Sequence, residues 1–170
     1  ALWPVMAARA QARLAARDRP ATIRADLPER SDVQSDGVTV AYNRFFRLEE
    51  HRIRFPRFGG GHSAPVDRVA FVAVDAVTLL PYDPVRDRVL LVDQFRIGPY
   101  VRGDAQPWTL EPIAGRVDGG ETWEDAVHRE AREEAGVTLW HLEQIGTYYP
   151  SPGAVTEYLS SYVGLADLPD

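Results

Sequence analysis

The chain of 170 residues contains no cysteine. Disulfides and thiolate metal sites are therefore closed to it, and a reducing cytoplasm is the expected setting. Lysine is missing too. All 19 basic residues are arginine, a pattern of coding bias that points to no function. No apolar run approaches the roughly 18–20 residues of a membrane span, and no signal peptide is visible, so no membrane partner is expected. His51, His62, His128 and His141 lack ligand spacing such as HxxxH and read as solvent-facing or capping residues. No internal repeat is present. The length suits one domain with a real core plus a smaller appendage. A start at Ala1 and an end at Asp170 are compatible with a piece of a longer protein.

Charge is unevenly spread. Residues 1–68 carry 12 Arg against 8 Asp and Glu, whereas residues 69–170 carry 7 against 17. The acidic second part argues against nucleic-acid binding through a basic face and suits a cation site. Residues 2–19, rich in Ala and Arg, predict an amphipathic helix, and 20–37 read as a linker. VTVAYNRFF and RLEEHRIRF alternate like strands, and Gly59-Gly60-Gly61 marks a hairpin loop. Buried strand character runs from Val66 to Leu80, PYDPVRD (81–87) reads as a turn, and RVLLVDQF (88–95) as the next strand. A loop with Gly98, Pro99, Gly103 and Pro107 leads to a strand over 108–115, and later strands fall around His141–Tyr149 and Tyr158–Gly164.

The chemistry concentrates between Gly115 and Val137, in GRVDGGETWEDAVHREAREEAGV. Thr122 with Asp125 three residues later makes a capping-box start, and Asp and Glu in the first turn suit the helix dipole. Val127, Ala131 and Ala135 form an apolar stripe to lie on a sheet, and Gly136 is the residue type expected past a helix end. Glu130, Glu133 and Glu134, spaced i, i+3 and i+4, project from one face and repel. Arg129 folding back, or a hard divalent cation with its preference for oxygen ligands, would offset that repulsion. A merely solvated acidic face leaves the glycines and Arg129 unexplained. Seven fixed residues at about 5–7% each make a chance match on the order of one in a hundred million per window.

This stretch resembles, at every fixed position, the signature of the Nudix hydrolases: G, five residues, E, seven residues, R-E-apolar-x-E-E-x-G-apolar. The likeness extends through VTVAYNRFFRLEEHRIRF, AFVAVDAVTLLPYDPVRDRVLLVDQFRIGPY, PWTLEPIAG and SPGAVTEYLSSYVG, which are similar to the ADP-ribose pyrophosphatase branch. Pro152, 15 residues after the box, matches that branch's marker. The implied fold is α/β, an α/β/α sandwich of mixed sheet with a small N-terminal antiparallel β appendage. The implied division is a helix and linker over 1–37, a β region used in dimerisation over 38–66, and a C-terminally truncated Nudix domain over 67–170.

The resemblance also implies roles. Glu130, Glu133 and Glu134, with the backbone carbonyl of Ala114, would ligate two to three Mg2+ or Mn2+ ions, and Arg129 would orient the carboxylates. Arg96 would contact the diphosphate, with Arg116 also on the substrate side. Phe45, Phe46 and Arg68 would hold adenine from the partner subunit of a domain-swapped homodimer. Ser151, Pro152, Gly153 and Glu157 would lie near the terminal ribose, and Glu111 would be a buried polar partner of the signature loop. The implied reaction is Mg2+-dependent hydrolysis of ADP-ribose to AMP and ribose 5-phosphate. The alternatives are a hydrolase for another nucleoside diphosphate sugar and a catalytically silent ADP-ribose sensor, the latter disfavoured by the intact glutamates. Relatives of this branch place the proposed general base on an acidic loop past the strand ending near Gly164. Here that role falls to such a loop beyond Asp170 or to Glu134, Glu133 or Glu157.

Overall fold

The computed structural model describes residues 3–17 and 27–169, and these divide into two compact units. The first comprises Ala1–Val74 and Tyr149–Glu157 and the second Asp75–Tyr148 and Tyr158–Asp170. The expected helix appears as α1 (Trp3–Arg17); residues 2, 18 and 19 of that expectation, and 20–26 of the expected linker, lie outside the described residues.

The first unit is built on an antiparallel sheet of β1 (Gln34–Asn43), β2 (Arg47–Arg54) and β3 (Val66–Val72), in that order. β1 starts before the expected Val38 and pairs Gln34 with Arg54 through Asn43 with Arg47. α1 docks through the buried Arg9, whose guanidinium donates to Asn43 Oδ1 and to the carbonyls of Arg44 and Phe45. Buried Glu49 on β2 accepts from Arg13, Arg47 and His51. Burial alone would raise its pKa, but the bonds from His51 and Arg47 hold it below the usual range.

The strand expected from Val66 to Leu80 is interrupted. β3 ends at Val72, and the next strand begins at Ala76. At the break, the Thr156 hydroxyl donates to the Ala73 carbonyl and accepts from the Ala73 N–H, so a side chain replaces the ladder there.

The second unit holds a five-stranded mixed sheet. Its central β4 (Ala76–Asp83) runs parallel to β10 (Leu159–Leu165), which pairs antiparallel with β9 (His141–Tyr148). On the other edge of β4 lie β8 (Ile113–Arg116) beside its first half and β5 (Arg88–Val89) at its end, both antiparallel. A separate ribbon pairs β6 (Val92–Phe95) with β7 (Trp108–Glu111). Thus the stretch expected as one strand over 88–95 divides at Leu90–Leu91, and that over 108–115 divides at Pro112, which has no N–H to donate to a ladder. The turn expected over 81–87 is shorter, because β4 continues to Asp83.

Part of the expected loop after β6 is helical: α2 (Ile97–Arg102) ends on Gly103 at φ 92°, with Pro99 in its first turn, where a missing N–H is tolerated. α3 (Trp123–Ala135) lays Ala126, Val127 and Ala131 on Val77, Leu79, Ile113 and Tyr162 to form the core. Gly164 permits this packing, because a Cβ there would lie 2.8 Å from Leu79 Cδ1 and 2.9 Å from Leu139 Cδ2. The fold class read from sequence, α/β with a mixed sheet and an N-terminal antiparallel β appendage, is the one adopted.

Asp83 at the end of β4 is fully buried. It accepts from the N–H groups of Val85, Arg86 and Leu168 and from the Arg86 guanidinium. Burial works to raise its pKa, yet the Arg86, Leu168 and Val85 donors win and bring it from 3.8 to about 2. A depressed carboxyl stabilises the fold above its unfolded pKa and loses that contribution as pH falls through the folded value. Wild-type stability should therefore decline between about pH 4 and pH 2. Asp83→Asn should melt about 5–10 °C lower at neutral pH and show a shallower acid slope, measured by thermal unfolding across that range.

Candidate active site

The loop from β8 into α3 is shaped by three local devices. Gly120 takes φ 93°, a conformation that favours glycine. Glu121 Oε2 accepts from the Asp118 N–H at 3.0 Å, closing the turn. Thr122 caps α3, accepting from the Asp125 N–H at 3.1 Å while Asp125 reaches back to the Thr122 N–H and hydroxyl. At the other end Gly136, at φ 64°, supplies the left-handed cap. The helix therefore begins and ends where its sequence predicts.

Arg129 organises the face between these caps. Its Nε and Nη2 grip Glu121 Oε1 and Oε2 at 2.9 and 3.0 Å, a bidentate fork. Nη1 donates to Glu130 Oε1 at 2.6 Å and to Glu133 Oε2 at 3.2 Å, while Nη2 also reaches the Arg116 carbonyl at 2.9 Å. The bond to Glu121 is the main force raising the Arg129 pKa and lowering that of Glu121. Glu130, only 13% exposed, behaves oppositely. Burial, and then the neighbouring Glu134 and Glu133, outweigh Arg129 and raise its pKa.

Gly115 on β8 makes room for that carboxylate, since a Cβ there would sit 1.8 Å from Glu130 Oε1. No other residue type fits without displacing Glu130. Glu134 is held from elsewhere: Gln94 Nε2 on β6 donates to its Oε1 at 3.0 Å, and the Ala114 N–H approaches Oε2 at 3.4 Å. Glu130, Glu133 and Glu134 thus share one helical face, with the backbone of Ala114 beside it. No three acidic or histidine side chains converge at ligand distances among the described residues; the oxygens instead face Arg129, Gln94 and backbone N–H groups. The donor set nevertheless fits a hard divalent cation, because the Glu130, Glu133 and Glu134 carboxylates on this face are all oxygen donors.

Arg96 follows β6. It forks onto Glu111 of β7, Nε at 2.9 Å from both oxygens and Nη2 at 2.6 Å, and Thr109 also donates to Glu111. Glu111 is thus the partner of Arg96, whereas the resemblance implies a partner of the signature loop. The hydrogen bond to Arg96 is the leading cause of its lowered pKa. Gln94 was not legible as a site residue; the only signal for it is its place two residues before Arg96, on the same strand face.

Within the first unit, Arg68, Pro152 and Gly153 line one cavity of about 580 Å3 with Arg30, His51 and Thr156, a size in the range of small-molecule sites. Ser151 closes the turn beside it, its carbonyl accepting from the Ala154 and Val155 N–H groups. Phe45 and Phe46 are not among its lining residues: their rings meet edge-on at 4.9 Å, and Phe46 packs on Phe71 at 4.7 Å. Glu157 is half-buried just past the turn and also does not line the cavity.

Comparison with known proteins places these features in context. The model of the NUDIX domain matches residues 72–168. The ADP-ribose pyrophosphatase of Escherichia coli (strain K12) is 39% identical over 138 residues, covering 81% of this chain and 66% of that protein. Its counterpart in Haemophilus influenzae is 36% identical, covering 80% and 64%. The GDP-mannose pyrophosphatase of Pectobacterium atrosepticum is 32% identical over 125 residues, covering 74% and 64%. The chain therefore spans just under two thirds of the length of the curated relatives it matches. A crystal structure of an ADP compounds hydrolase superposes with a TM-score of 0.60 at 18% identity, covering 82% of this chain and 71% of that one, a likeness of fold.

Removing Arg129 leaves Glu121 and Glu130, 15% and 13% exposed, without their cation. Arg129→Ala should lose about 1–3 kcal/mol in urea unfolding. Arg129→Lys should recover only part of that, because an ammonium cannot reproduce the fork on Glu121.

Proposed function

We propose, from the premise that this chain belongs to the NUDIX family, that it hydrolyses the diphosphate of ADP-ribose to AMP and ribose 5-phosphate with Mg2+ or Mn2+. The observation that carries this reading is the α3 face, where Arg129 gathers Glu121, Glu130 and Glu133 while Glu134 is held separately. Glu130, Glu133 and Glu134, with the Ala114 carbonyl, are the residues that would hold two to three cations. Such cations, when bound, neutralise diphosphate charge and lower the pKa of water.

The chain's own groups do the rest. Arg129 sets the orientation of the Glu130 carboxylate through its fork on Glu121, as partners of metal ligands do. Arg96 is braced by Glu111 through Nε and Nη2, and its remaining Nη1 is the donor assigned to a diphosphate oxygen. Arg116, at the mouth of the signature loop, is assigned to the same anionic group. Arg68 with Pro152 and Gly153 is assigned to the cavity they share, and Phe45 and Phe46 to stacking on adenine. Ser151 and Glu157 are assigned to the terminal ribose.

A homodimer with a swapped N-terminal region forms part of this proposal. Its support is β1, a ten-residue strand exposed along its whole length, with one edge unpaired among the described residues and Val38, Val40 and Tyr42 open to solvent. Long apolar edges of this kind are normally covered. A second reading, hydrolysis of another nucleoside diphosphate sugar, is favoured by the GDP-mannose pyrophosphatase relative at 32% identity.

The test is AMP release from ADP-ribose with Mg2+, with and without EDTA, beside ADP-glucose, GDP-mannose and NADH. ADP-ribose should be turned over fastest and EDTA should abolish turnover. A preference for GDP-mannose would move the reading to the second. Glu134→Gln preserves size and removes one charge, and should cut turnover about a hundredfold or more while melting within a few degrees of wild type. Near-normal turnover would refute the ligand role of Glu134.

A further inference from the structure

We propose that Gln94 is a positioning residue for Glu134, the neutral amide that fixes this carboxylate for a divalent cation. The inference rests on the metal-dependent reading above. Of the three glutamates on the α3 face, Arg129 reaches Glu130 and Glu133. Glu134 is reached instead by Gln94 Nε2 at 3.0 Å, from a residue 40 positions earlier in the chain. An ionised carboxylate only accepts, so the amide must present its NH2 there.

The strand makes Gln94 a firm support. Val92 and Gln94 are half-buried on β6 while Asp93 and Phe95 are exposed. Val92 packs against the hydrophobic core, and the ladder pairs Gln94 with Thr109 and Val92 with Glu111. The amide therefore stands on backbone tied to β7 and, through Val92, to the core, and it faces Glu134 of α3.

Its chemistry differs from that of Arg129 in the respect that matters. A guanidinium orients a carboxylate and also neutralises it, so it competes with a metal ion for the same charge. An amide orients through one N–H bond and adds no charge of its own. With the Ala114 N–H near Oε2 at 3.4 Å, both oxygens of Glu134 are placed by neutral hydrogen-bond donors.

The experiment is calorimetric titration of Mn2+ into the whole chain. Wild type should bind, and Glu134→Gln should bind far more weakly. Gln94→Met, similar in length but without the donor, should weaken Mn2+ binding about tenfold. Its melting temperature in EDTA should stay close to wild type, and its KM for ADP-ribose at saturating Mn2+ should not change. With Glu134→Gln already present, Gln94→Met should add nothing, since it acts through that carboxylate. Binding by Gln94→Met within twofold of wild type, while Glu134→Gln is impaired, would overturn the proposal and leave the metal reading intact. Equal binding by wild type and Glu134→Gln would overturn both.

Discussion

Glu121, Glu130 and Glu133 at the α3 face all depend on one guanidinium. Three carboxylates at i, i+3 and i+4 repel, and burial of Glu130 sharpens that repulsion by removing water from one of them. Arg129 is placed to answer it, with every N–H direction of its fork satisfied by Glu121, Glu130, Glu133 or the Arg116 carbonyl. Glu121 is the anchor in this set. It fixes the plane of the guanidinium, the guanidinium fixes Glu130, and Gly115 leaves the space in which Glu130 must lie. The spacing of the signature follows from this chain of contacts: an arginine eight residues after Glu121 can reach back across the loop only because Gly120 and the Thr122 cap fold it tightly.

That local logic explains what was legible in the sequence. Caps, stripe and acidic face of α3 all depend on residues within one turn or one loop of each other, so their spacing carries the geometry. The missed features depend on distant partners. Gln94 meets Glu134 across 40 residues, and Asp83 meets the Leu168 N–H across 85. Arg96 was legible as a residue, but its pairing with Glu111 on the adjacent strand was not, because strand register is absent from either segment alone. Strand ends were misjudged where a single group breaks the ladder: Pro112 between β7 and β8, and the Thr156 hydroxyl at Ala73. The short α2 was hidden by Gly98 and Pro99, which normally signal a loop.

The proposed function leaves substrate choice to residues beyond the metal-binding glutamates. Relatives named for ADP-ribose and for GDP-mannose both align with this chain. Under the proposed function, chemistry common to two diphosphates would fall to the carboxylates of α3 and to Arg96 and Arg116. Discrimination between sugars and bases is proposed to lie in residues outside the signature, among them Phe45, Phe46, Arg68 and Pro152. An aromatic pair with half-exposed rings and an arginine in a cavity of small-molecule size are suitable groups for that task.

The α3 face is proposed to hold divalent metal. Anomalous diffraction from crystals of this chain soaked in Mn2+ tests it most directly. A metal-binding α3 face gives an anomalous peak coordinated by Glu130 and Glu134, with Arg129 still gripping Glu121. A peak confined to other carboxylates, or a face still closed by Arg129 and Gln94 with no peak at saturating Mn2+, would contradict it.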